Sequence, residues 1–184
     1  AGDVVLVLPQ DQVWHLDLPR FLAKAYAATG KGESMDIVMD GQALNAFLAA
    51  EFPQVADDYR IETVGPQGLV ARLRVGNQHL RPGGTVSGPS IFALADIGIY
   101  CAILSRIGPV ALAVTTNATV DFMRKPAAGR DLLAQCRILK LGRSLAVVEA
   151  LIFSEGEDEP AARCSMTYSI PRNDRKTAHY DVVF

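Results

Sequence analysis

A chain of 184 residues, 49% of them hydrophobic, is long enough for one domain with its own core, while two complete domains would crowd it. Its 18 Lys and Arg against 20 Asp and Glu leave a net charge of −2, so no overall basic field points to nucleic acid or an anionic membrane surface. Cys101, Cys136 and Cys164 are odd in number and lie far apart inside apolar runs, which argues against a disulfide framework or a zinc knuckle and suits a reducing, cytoplasmic setting.

Residues 1–34 contrast with the rest of the chain. The apolar run Val4–Leu8 stops at Pro9 with no basic stretch before it, too short for a signal peptide or a membrane span. Asp17-Leu18-Pro19-Arg20 then opens an Ala-rich, helix-like stretch to Tyr26, which breaks at Thr29-Gly30-Lys31-Gly32, and Met35 and Met39 both suit the start of the domain proper. We expect 1–39 to be an N-terminal extension of unknown role, 40–171 the domain, and 172–184 a peripheral C-terminal tail.

Asp40 suits the N-cap of a helix from Gly41 to Phe52, in which Leu44, Phe47 and Leu48 recur at helical spacing and which Pro53 ends. From Arg60 the period changes to two: Leu69, Ala71, Leu73 and Val75 alternate with Val70, Arg72 and Arg74, as in a half-buried strand. Turn signals at Gly65-Pro66 and Pro82-Gly83-Gly84 bracket that region. The stretch Ser87–Leu104 is apolar on every side, predicting a helix buried on every side, with Ser87 as its cap and Gly108-Pro109 as its stop.

Four runs of strand character come next: Val110–Met123, Asp131–Leu139, Ser144–Phe153 and Ala161–Ile170. Their separators, Lys125–Gly129, Leu141-Gly142-Arg143 and Glu155–Pro160, read as hairpin turns, so a four-strand antiparallel meander is expected. Short turns do not make parallel crossovers, and the fold class is therefore α+β, a curled antiparallel sheet wrapped around a long central helix.

One acid, Asp96, interrupts the apolar helix. Around it stand Gly84-Thr85-Val86-Ser87-Gly88-Pro89, then Leu94-Ala95-Asp96, then Val120-Asp121-Phe122-Met123-Arg124-Lys125-Pro126, then Gly142-Arg143. In order and spacing these resemble the hotdog-fold acyl-CoA thioesterases, in particular their phenylacetate-degradation (PaaI-like) branch, over roughly Gly41 to Pro171. The resemblance implies a homodimer with its site at the subunit interface, a dimer of dimers being the larger alternative. It also implies an acyl-CoA partner, with coenzyme A as part of the substrate and no separate cofactor.

Family members usually carry an Asn, then five intervening residues, then His-Gly-Gly, then the acid seven residues on. Here Arg81 stands at the Asn position, Ser87 at that of His and Pro89 at that of the second Gly, while Gly88 and Asp96 are kept. Thr115 falls where the family often has a Ser or Thr that assists the water or the acid. The resemblance therefore gives Asp96, Gly88 and Thr115 as catalytic residues.

The chemistry agrees with those assignments. A backbone N–H at a helix N-terminus polarises a carbonyl, and Gly88 without a Cβ lets a thioester approach it. Apolar neighbours such as Phe92, Leu94 and Ile97 would raise the pKa of an unpaired Asp96 and make it a better base or nucleophile. The plainer readings are that Ser87-Gly88-Pro89 is only a good helix start, that Asp96 pairs with a hydroxyl to fix a dimer, and that Thr115 and Thr116 are ordinary strand residues.

Arg81, Ser87, Thr116 and Asn117 are the candidate substrate-binding residues. Asn117 and Asp121 share the face of Thr115 by period two. Arg81 suits the thioester oxygen, a substrate carboxylate or a coenzyme A phosphate. Arg124, Lys125 and Arg143, at strand ends, are the candidate coenzyme A contacts, although basic residues at turns are usually only solvated.

Three widely spaced His and three widely spaced Cys give no metal-ligand spacing, and no phosphate-cradling loop appears. The hydratases of the same fold are disfavoured, because the chain lacks Asp-x-Asn-x-x-His. A non-catalytic acyl-CoA-binding module is the alternative function, motivated by the missing Asn and His.

Overall fold

The computed structural model describes residues 35–66 and 68–171. The expected tail 172–184, and residues 1–34 of the expected extension, lie outside the described residues. Asp40 caps α1 (Gly41–Glu51), its carboxylate accepting the Ala43 N–H at 2.8 Å. Leu44 and Leu48 are buried in the core and Phe47 packs at its edge, as their spacing required. Pro53 stops α1 and also opens a single turn, α2 (Pro53–Ala56), since its fixed φ and missing N–H suit a first helical turn.

The period-two region resolves into an antiparallel hairpin, β1 (Tyr59–Gly65) and β2 (Gly68–Leu73). Leu69, Ala71 and Leu73 turn into the core, while Arg72 meets Glu62, Asp131 and Glu155 at 2.6, 3.0 and 3.0 Å. The free edge of β1 is blocked by a side chain that imitates a strand. Asn45 Nδ2 donates to the Ile61 carbonyl at 3.0 Å, and the Ile61 N–H donates to Asn45 Oδ1 at 2.8 Å.

The apolar helix is α3 (Gly88–Ile107), capped by Ser87 and stopped at Gly108, whose φ of +86° few other residues tolerate. It is long and apolar enough to cross a bilayer, but it packs on all six strands and on α1, which accounts for apolar residues on every side.

The remaining strands, β3 (Val114–Phe122), β4 (Leu132–Leu141), β5 (Leu145–Ser154) and β6 (Ala162–Ser169), lie close to the predicted runs. Sheet order is β1-β2-β4-β5-β6-β3, every neighbouring pair antiparallel. The expected four-strand meander is therefore corrected to three strands, β4-β5-β6, with β3 on the far side of β6. Lys125–Gly129 is not a hairpin turn but part of a crossover from the sheet's edge to its middle. Crossing three strand spacings takes about 14 Å, and residues 123–131 can reach about 30 Å when extended. No strand pairs with the outer edge of β3 among the described residues, and Leu112, Val114, Phe122 and Met123 stand exposed along it.

Candidate active site

The N-terminus of α3 leaves one donor open. Ser87 Oγ accepts the Ser90 N–H at 3.3 Å, and the Ile91 N–H donates to the Ser87 carbonyl at 3.1 Å. Pro89 has no N–H, so within the first turn only Gly88 keeps a backbone donor with no acceptor among the described residues. Ser87, expected to meet substrate, is occupied instead as a cap. Ser90 Oγ donates to the His79 carbonyl at 3.1 Å, so Ser87 is the donor in the 2.8 Å contact between the two hydroxyls.

His79 anchors this loop. It is only 6% exposed, its Nδ1 accepts the Gly76 N–H at 2.9 Å, and its Nε2 faces Asp58 at 3.4 Å. Its carbonyl also receives the Ser87 N–H at 2.8 Å. Arg81 is exposed in the turn before α3, with no side-chain partner among the described residues.

Asp96 is half-buried where α3 meets β3 and β6. Thr115 Oγ1 donates to its Oδ1 at 2.6 Å, and the Tyr168 hydroxyl donates to the same oxygen at 2.5 Å. Of the two readings, an unpaired carboxylate among apolar neighbours and one paired with a hydroxyl, the structure has the second: one oxygen is held by two hydroxyls. Oδ2 has no hydrogen bond among the described residues. Burial, then the charge of Asp96 and their hydrogen bond, push the Tyr168 phenol far above its usual range, so it stays protonated and remains a donor.

Sequence reasoning missed Tyr168. Its one signal was a hydroxyl-bearing residue at an inward position of β6, after Ala162, Cys164 and Met166. Thr116 does not reach Asp96; its Oγ1 donates to the Thr167 carbonyl at 3.1 Å. It sits in a bulge, since Thr115 opposes Tyr168 and Asn117 opposes Thr167. The extra residue breaks the period of two. Asn117 and Asp121 therefore lie on the face opposite Thr115, and Asp121 meets the exposed Arg163 at 3.7 Å. The face of Thr115 continues through Ala118, Val120 and Phe122, which oppose buried Met166, Cys164 and Ala162.

The register also separates the candidate cations. Phe122 and the following Arg124 and Lys125 lie at the end of the sheet where β6 begins, and Arg143, before Leu145, lies where β6 ends. One chain does not bring the three together. Arg124 is paired with Glu159 at 2.7 Å, while Lys125 and Arg143 are exposed. Phe122 Cζ lies 3.3 Å from where a Cβ on Gly88 would sit, so the first turn of α3 belongs to the Phe122 end and Asp96 to the Thr115 end. A cavity of about 780 Å³ between α1 and β1, lined by Asp40, Asn45, Arg60, Glu62 and Arg74 among others, includes none of the predicted site residues.

A six-stranded antiparallel sheet curled around one long helix, with a lone carboxylate two turns into that helix, defines a hotdog-fold protein. Residues 83–161 match the family model of the thioesterase superfamily. The crystal structure of an inferred thioesterase from Silicibacter sp. TM1040 is 55% identical, the match covering 76% of this chain and 96% of that one with a TM-score of 0.71. The chain belongs to the thioesterase superfamily. It is also similar to a mutant form of the phenylacetic acid degradation protein PaaI from Thermus thermophilus, at 27% identity over 65% of this chain and 99% of that one, with a TM-score of 0.56. An inferred esterase of Pseudomonas aeruginosa is 34% identical over 87 residues, 47% of this chain, and the chain spans 64% of that protein's length. These likenesses support thioester hydrolysis as the general activity.

Proposed function

We propose that this protein hydrolyses an acyl- or aroyl-CoA thioester to the free acid and coenzyme A, with Asp96 as general base or nucleophile and the Gly88 N–H as oxyanion donor. The observation that carries this reading is one helix that holds both parts: a half-buried carboxylate with one oxygen free among the described residues, and a first turn whose only donor unfilled among them is Gly88. As base, Asp96 takes a proton from water while the hydroxide adds to the thioester carbon; the C–S bond then breaks and the thiolate leaves with a proton. As nucleophile, the carboxylate adds to that carbon and expels the thiolate, and water hydrolyses the resulting anhydride. In both routes charge develops on the carbonyl oxygen, where a helix N-terminal N–H stabilises it.

Gly88 and Asp96 of one chain are about 12 Å apart along the helix axis, too far for one thioester carbon. The reading therefore needs a second copy. Antiparallel pairing of β3 with β3 of that copy reverses the strand and sets the Thr115 end of one beside the Phe122 end of the other. The exposed outer edge of β3, with Val114 and Phe122 at 55% and 57% exposure, supports this homodimer, and a dimer of dimers is the larger form. The same reversal carries Arg143 of one copy to the end bearing Arg124 and Lys125 of the other, where together they meet coenzyme A phosphates. Arg81, exposed in the turn before α3, contacts the acyl group.

The test is thiol release across short, long, aromatic and dicarboxylic CoA esters. Turnover of at least one class is expected, and activity confined to acidic acyl groups would assign Arg81 as their carboxylate receptor. Tight acyl-CoA binding in calorimetry with no turnover anywhere in the panel would overturn the enzyme in favour of a binding module.

A further inference from the structure

We infer that Tyr168 is a positioning residue for Asp96, and that the two hydroxyls gathered on Oδ1 commit Oδ2 to the reaction; this rests on the hydrolase reading above. A carboxylate turning freely about its last bond offers either oxygen and samples many directions. Here Thr115 and Tyr168 donate to the same oxygen at 2.6 and 2.5 Å, from two adjacent strands that place these residues directly opposite each other. Two donors arriving from fixed strands lock the carboxylate's rotation and leave Oδ2 pointing away from them.

Tyr168 is itself held. Its ring is 2% exposed and stacks on Tyr100 with centroids 6.3 Å apart and planes 27° apart. Tyr100, one helical turn after Asp96, packs in turn against Phe47 of α1 at 6.3 Å and donates its hydroxyl to the Ala111 carbonyl at 3.2 Å. A chain of three rings thus runs from α1 to the carboxylate. The Tyr168 hydroxyl also lies 3.1 Å from the backbone carbonyl of Asp96, which would satisfy a buried phenol. The single proton takes the shorter, charge-assisted bond to Oδ1.

The experiment measures steady-state thiol release for Tyr168→Phe, in the otherwise unchanged chain and in an Asp96→Asn background, with a melting curve for each. Tyr168→Phe is expected to lower kcat roughly 10- to 100-fold, the equivalent of one lost hydrogen bond to a charged group, with KM within about twofold. In the Asp96→Asn background it should lower the residual rate no further, because Tyr168 acts only through the carboxylate. An equal fold-loss in both backgrounds, or unchanged kcat in Tyr168→Phe, overturns the inference. Full activity in Asp96→Asn alone removes Asp96 from the proposed mechanism instead, and no thiol release by the unchanged chain overturns the hydrolase reading. Should Tyr168→Phe fail to fold, Thr115→Val reads the same oxygen, with Thr115→Ser expected to restore the rate and failure to restore it counting against the two-hydroxyl clamp.

Discussion

Two demands for a bare backbone meet at position 88. The proposed substrate carbonyl needs the Gly88 N–H unobstructed, and the Phe122 ring already lies 3.3 Å from where a Cβ would sit. Gly88→Ala separates them. A contact of 3.3 Å asks the ring to give by only a few tenths of an ångström, so the melting temperature should move little while thiol release falls at least tenfold. Adding Phe122→Leu removes the clash and should not restore turnover; restoration would mean the glycine serves the ring alone. Asp96 was legible in the sequence because an acid in a helix apolar on all sides has no cheap structural explanation. Tyr168 was not, because an inward aromatic on an alternating strand reads as core, and only the β3–β6 register reveals which carboxylate its hydroxyl meets.

Among elements, α3 lies so close to the sheet that Gly98 leaves no room for a methyl group. A Cβ there would meet Cys136 Sγ at 2.8 Å, with Ala71 and Ala134 Cβ at 3.4 and 3.6 Å. Gly98→Ala should destabilise by about 1–3 kcal/mol in urea unfolding, despite its better helix propensity, and Cys136→Ala in the same chain should recover most of it. Independent losses in the two variants would contradict that contact. At the sheet's edge, Asn45→Ala removes both bonds to Ile61 and should cost about 1–2 kcal/mol by the same measurement. Periodicity placed α1, β2, α3 and β3 to β6 near their observed positions because burial repeats at those periods, while α2 and the separate strand β1 were not marked out by it. Strand partners were another matter, since a crossover and a hairpin turn use the same breaker residues. The bulge at Thr116 also escaped, because the β-branched run Val114-Thr115-Thr116 reads as unbroken strand and hides a one-residue slip; that slip removed Asn117 from the face of Thr115.

For the whole molecule, the open edge of β3 and the distance between Gly88 and Asp96 in one chain both call for a second copy. Light scattering should give at least a dimer, and a charge placed at Val114 should release monomers and abolish thiol release together. The core adds a pH dependence. Burial pushes the Cys101 thiol up to about 12 and the Cys164 thiol up to about 11, and raises Cys136 well above its ordinary 9.0. Unfolded thiols lose their protons near pH 9 while the folded ones keep them, so the unfolded state binds fewer protons above that pH. Stability is therefore full below about pH 9 and declines as pH rises toward 11–12. The urea midpoint should fall between pH 8.5 and 10.5, with a shallower slope in Cys164→Ala; an identical slope would contradict the assignment.

The most direct measurement is thiol release by Asp96→Asn, whose amide keeps an oxygen for Thr115 and Tyr168 to hold. Turnover should fall roughly 10²- to 10⁴-fold, the usual contribution of a positioned base, while the melting temperature and the dimer persist. Turnover equal to that of the unchanged enzyme would remove Asp96 from the chemistry and contradict the account.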